Sequence, residues 1–173
     1  MDGSIIMNIV ERTGQIVALL RLTPEKSIEG RKKFHKLIYL LQEKGIDFGQ
    51  DFIFSHYGVF SPSLANDLSV ANSHNIISED MGSDGNGYEL KLNDGSAFGG
   101  NIAFNESETK IVSNFISKKP GFLEVLSTIV YLDDLGYEKE GLKNKLTEIK
   151  GHLSNYFTDA YKEASTQFSI GVG

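Results

Sequence analysis

Apolar residues fall at Ile5, Ile6, Ile9, Ile16, Val17 and Leu20, close to the three-to-four-residue repeat of one helix face, and predict a helix over 4–22. Thr23-Pro24 ends it, because proline lacks an amide donor and disfavours helical geometry in the residue before it. A second helix is predicted over 28–44. Phe34, Leu37, Ile38 and Leu41 form its apolar stripe, Arg31, Lys32, Lys33, Lys36 and Glu43 occupy much of the rest, and Gly45 supplies the stop. The aromatic and β-branched run 51–57 reads as a strand or extended connection. Ser61-Pro62 then opens a third helix, with Ser61 as cap and Leu64, Leu68 and Ala71 at helical spacing.

Two short alternating runs, Ile76 to Glu79 and Tyr88 to Leu92, flank Gly-Ser-Asp-Gly-Asn-Gly at 82–87 and predict a β-hairpin. Residues 93–104 read as a loop. Asn105 and Glu108 resemble a capping box ahead of a fourth helix carrying Ile111, Val112, Phe115 and Ile116. The fifth, 122–135, is apolar around most of its circumference and is expected deep in the core, covered by helices one, four and six. Leu142 to Ala160 continue at helical spacing with a break at Gly151, and 165–173 reads as a loose tail. The fold predicted is mainly α with a small β-hairpin: a winged-helix-like core followed by a C-terminal helical bundle, in one domain over 1–164 with halves 1–92 and 105–164. The same element order fits unrelated α+β domains.

Composition narrows the function. Seventeen Lys and Arg against 23 Asp and Glu give a formal charge of −6, so blanket attraction to phosphates or anionic lipid is disfavoured. The absence of cysteine removes disulfides, thiolate metal sites and cysteine nucleophiles, and fits a reducing compartment. With no leader-like start and no long apolar run, the expectation is a soluble cytoplasmic protein without a membrane segment.

Catalytic chemistry finds little footing. His35, His56, His74 and His152 include no pair at metal-binding helical spacing, and phosphate-loop, nucleophile-elbow and zinc-protease patterns are missing. His56 is the best exception, since burial among its aromatic neighbours would depress its proton affinity; a packed, hydrogen-bonded ring is the plainer account. Asp133, Asp134, Glu138 and Glu140 suit either a cation or an ordinary acidic loop. No enzyme, cofactor or metal is therefore expected.

Arg31, Lys32, Lys33 and Lys36 form the one basic group that invites a nucleic-acid reading; a solvated helix face is the alternative. Residues 61–100, which cover the third helix and the hairpin, hold one lysine and six acids, and the third helix has no Lys or Arg. Such a face lacks the backbone contacts that provide most DNA affinity.

The run Arg31 to Leu41 followed by His56-Tyr57-Gly58-Val59-Phe60-Ser61 and Leu64 resembles the Lys-Leu-x-Tyr and Gly-Pro-Phe-Ser motifs of the YwgA-like proteins and the related Panacea, or SocA-like antitoxin, domains. Leu123 to Leu132 and Lys150-Gly151-His152 are similar to the helical half of that group, so the resemblance covers about 31–164. Val59 departs from the pattern, which has proline there. The resemblance implies a helical, winged-helix-like domain without an established catalytic centre, whose relatives include antitoxins and adaptors that bind another protein. It marks Lys36, Tyr39, His56, Tyr57, Gly58, Phe60 and Ser61 as signature or interaction positions, open to structural and functional readings alike. The leading expectation is a regulatory or adaptor module with a protein partner, its alternative a DNA-binding regulator using Arg31, Lys32 and Lys33. A homodimer is expected if Ile5, Ile9, Ile16 and Leu20 leave part of their stripe uncovered.

Overall fold

A computed structural model of the chain describes residues 6–82, 85, 87–93, 95, 98 and 102–173. Helix α1, Ile9–Leu22, begins later than its apolar repeat suggests. The Asn8 side chain accepts from the Glu11 amide while Glu11 accepts from the Asn8 amide, so a capping box fixes the start and leaves Ile6 in solvent. Helix α2, Gly30–Glu43, also starts after the predicted Ile28, because Ser27 and Ile28 form strand β1. Gly45, with φ 92°, follows its end as expected.

Strand β2, Ile53–Ser55, lies within the run 51–57 read as a strand or extended connection and turns back on β3, Gly58–Phe60, which that run did not include. Helix α3, Pro62–Ser73, is capped by Ser61 as expected. The predicted hairpin is β4, Ile77–Met81, with β5, Tyr88–Leu92; Ser83, Asp84 and Asn86 of its turn lie outside the described residues. Strand β5 also pairs with β1, giving an antiparallel sheet in the order β1-β5-β4.

The C-terminal half is a helical bundle: α4, Glu106–Ile116; α5, Pro120–Asp134; α6, Lys139–Lys150; a short 3-10 segment, Gly151–Tyr156; and α7, Phe157–Phe168. Asn105 and Glu108 complete a full capping box, and Gly151 marks the break between helices. Leu123, Val125, Leu126 and Ile129 of α5 are fully buried, each contributing about 1.5–3 kcal/mol of apolar burial. Its principal neighbours are α2, α6, α7 and β3 rather than the expected helices one and four.

The tail read as loose is instead packed. Ser165 to Phe168 complete α7, and the Ile170 amide donates to the Ala164 carbonyl. Ile170 and Val172 are buried, so two apolar residues too short to show a period are held by tertiary contact. The same hydrophobic cluster runs from α1 to Val172, making the whole mainly helical with small antiparallel sheets and a C-terminal bundle.

Candidate functional site

The signature residues converge where α2 meets the β2–β3 turn. Helical spacing puts Phe34, Leu37, Ile38 and Leu41 in the core and carries Lys36, on the same helix, beneath the turn. Its Nζ donates to the Tyr57 carbonyl at 2.8 Å and the Val59 carbonyl at 3.3 Å. Lys36 is 3% exposed, and burial pushes its ammonium down to about 8; Glu124 opposes the shift, while Lys150 and Lys32 reinforce it. Lys150, from the end of α6, donates to Glu124 Oε1 of α5 at 2.6 Å. A Cβ on Gly58 would stand 3.6 Å from both Lys150 Nζ and Lys36 Cε, so the bare backbone of the turn lies directly over two lysine side chains, of which Lys150 is paired with the Glu124 carboxylate. Gly58 has φ 92°, a conformation glycine takes without strain. The missing proline at Val59 therefore leaves the turn intact, held from below by lysine.

His35, one residue earlier, fixes the other end of the ribbon. Its Nδ1 accepts the Ser61 amide at 3.0 Å and its ring stacks on Phe60 at 4.6 Å. Burial, with help from Lys36 and Arg31, lowers its proton affinity to about 4, so at neutral pH it is the uncharged acceptor this bond requires. Ser61 in turn caps α3. Tyr39 packs edge-on against Phe52 and tilted to Tyr131, and its buried hydroxyl has no hydrogen-bond partner among the described residues.

The histidine singled out in the sequence sits differently. His56 is exposed at the tip, in edge contact with the half-exposed Tyr57 ring, rather than sealed among the aromatic residues. The two-residue turn points it away from the core. The basic run is likewise divided. Arg31 binds Glu79 of β4 through Nε at 2.9 Å and reaches Ser69 of α3; Lys32 lies 4.5 Å over the Tyr57 ring; and Lys33 is buried, with Glu29 at 3.5 Å. A uniformly solvated face is therefore not what forms. Elsewhere Asp67, fully buried in α3, takes a two-pronged ion pair from Arg12 of α1 and a bond from Gln50. Asp133 and Asp134 face Glu43 at the C-terminal ends of α5 and α2, and no group of three or more His, Asp or Glu among the described residues gathers as metal ligands.

Lys150, Glu124, His35 and Asp67 were not predicted as site residues. One signal was available for Lys150, which stood beside the Gly151-His152 resemblance; the others show themselves only once α2, α5 and the ribbon are packed.

Comparison with known proteins bears on this geometry. The chain is similar to the uncharacterized protein YwgA of Bacillus subtilis (strain 168), with 29% identity over 141 residues, spanning 79% of this chain and 83% of that protein. No family model and no solved structure matches it. No helix among the described residues is long and apolar enough to cross a membrane.

Proposed function

We propose that this chain, which resembles the YwgA-like proteins, is a non-enzymatic regulatory or adaptor module that acts by binding another protein, antitoxin-like by its resemblance to the Panacea group. One observation carries the reading: the signature residues are used to present a surface. Lys36 gives its ammonium to two carbonyls of the turn, His35 gives its lone pair to an amide, and Ser61 caps α3, while Tyr57 and His56 stand outward at the tip. An exposed tyrosine is among the residue types enriched as anchors in protein interfaces. Purification from the native host at moderate salt tests it. A stoichiometric partner should accompany the wild-type chain and be lost with Tyr57→Ala at unchanged thermal stability; a chain that repeatedly emerges alone overturns the reading.

A second reading is a winged-helix DNA-binding regulator. The element order α1, β1, α2, α3, β4, β5 and the sheet order β1-β5-β4 support this reading. Against it, α3 carries no cation and Arg31 is tied to Glu79. Duplex affinity that falls steeply with salt would support it; no binding at low salt would end it. Exposed Ile6, Ile9 and Val10 at the start of α1 suit a homodimer contact, which light scattering over a wide dilution range would reveal as twice the 19.1 kDa chain mass or refute as a single one.

A further inference from the structure

Helices α2 and α5 pack together and end at one cleft of about 300 Å³, whose wall carries Glu43, Asp133 and Asp134. None of these carboxylates has an ion pair or a side-chain hydrogen bond among the described residues. Lys44, the cation on the wall, is engaged elsewhere: its Nζ donates to the Gln167 carbonyl at 2.6 Å and stands 5.5 Å over the Phe168 ring. The last turns of both helices hold no basic residue, so the negative ends of their dipoles add to the charge of the acids. Burial, together with the Asp134 charge, pushes the Glu43 carboxyl up, the response of an acid with no cation opposite it.

Tyr39 supplies the independent observation. It stands one turn before Glu43 on α2 and is 4% exposed. Its ring is held against Phe52 and Tyr131, and the acids whose charge acts on its hydroxyl are Glu43, Asp134 and Asp133, so the hydroxyl is aimed at the acidic wall of the cleft. It has no hydrogen-bond partner among the described residues, although a buried hydroxyl ordinarily has one. An unpartnered hydroxyl beside unpaired carboxylates calls for a ligand that brings several N–H donors. A single metal ion answers poorly, because no three acids among the described residues gather as its ligands. A guanidinium spreads five donors over a plane and reaches groups too far apart to share one ion.

We propose that this cleft binds the guanidinium of an arginine side chain from a partner polypeptide, with Glu43 and Asp134 as countercharges and the Tyr39 hydroxyl as a further hydrogen-bonding group. The source of the arginine rests on the protein-binding reading above, while the cleft is a separate surface from the Tyr57 tip. Free arginine fits less well, because its own carboxylate would enter the field of Glu43, Asp133 and Asp134. Exposed Leu135 and Tyr137, which follow Asp134 in the chain, offer apolar contact to the residues around a polypeptide arginine.

NMR titration of the full chain at low salt, following the Ser169 and Ile170 amides at the cleft, tests the site. The probes are acetyl-arginine amide, acetyl-citrulline amide, free arginine and magnesium chloride. Acetyl-arginine amide should bind in the millimolar range, at least about ten-fold tighter than its uncharged citrulline analogue and about three-fold tighter than free arginine. Asp134→Asn, at an exposed position that leaves folding intact, should weaken it by about five-fold. Tyr39→Phe should weaken it by about three-fold at equal or higher thermal stability, because the hydroxyl it removes finds no partner among the described residues. Tyr57→Ala should leave it unchanged, so a silent cleft and a missing partner at the tip are read separately. Equal binding of the arginine and citrulline probes, no amide shift at about 50 mM probe, or an unchanged affinity in either Asp134→Asn or Tyr39→Phe overturns the proposal. Tighter binding of free arginine than of its amide would assign the cleft to a free amino acid instead, and displacement of the probe by magnesium at lower concentration would assign it to a metal ion.

Discussion

Mild acid should destabilise this protein through His35. The ring is 3% exposed, its Nδ1 accepts the Ser61 amide, and burial places its protonation at about 4 against 6.5 for an ordinary histidine. The unfolded chain therefore binds this proton more tightly than the native one, and stability falls as pH drops from about 6.5 through about 4. At about 1.4 kcal/mol per pH unit, that interval amounts to about 3 kcal/mol, a large share of the roughly 5–15 kcal/mol typical of a domain. His35→Asn is the matched control, since its side-chain oxygen can still accept an amide but does not titrate. At pH 7 the variant should lose about 1–3 kcal/mol from the missing ring contact with Phe60. Urea unfolding followed by circular dichroism from pH 7 to 4.5 should then show a shallower loss of stability in the variant, with most of the 3 kcal/mol difference in slope assigned to this one ring. Parallel pH profiles, or a His35 ring proton that titrates near 6.5 in the folded protein, would refute the reasoning.

Three further outcomes probe the same architecture. Glu124→Gln leaves the buried Lys150 without its carboxylate partner and Lys36 without the nearby negative charge that opposes its shift, and should cost about 3 kcal/mol by urea unfolding, an effect under about 0.5 kcal/mol counting against the ion pair. Gly58→Ala meets only ordinary contacts at 3.6 Å, so its expected loss of about 1–2 kcal/mol comes from backbone strain at φ 92° and should be matched by Gly58→Ser; a neutral alanine variant would show that the turn relaxes. Ile170→Ala should destabilise by about 2–4 kcal/mol, whereas a residue in a loose tail would change nothing measurable.

Much of the helical framework was legible in the chain because it depends on local rules. Thr23-Pro24, Gly45, Ser61-Pro62, Asn105 with Glu108, and Gly151 each act through their own backbone geometry or through a partner three residues away, so they locate helix ends before any packing is known. The motif around Lys36, Tyr57, Gly58 and Ser61 was legible for the same reason, as a compact pattern in the sequence. What those residues do was decided by tertiary structure. Residue spacing cannot say that the Lys36 ammonium meets the Tyr57 carbonyl twenty-one positions away, that Glu124 and Lys150 complete the cluster, or that His35 is buried while His56 is exposed. Two-residue β1 and three-residue β2 and β3 are too short to carry a period; β1 exists through pairing with the distant β5, and β2 and β3 through pairing with each other across a tight turn. Burial of Ile170 and Val172 likewise depends on the space left between α7 and its neighbours, a property of the assembled core that no local pattern encodes.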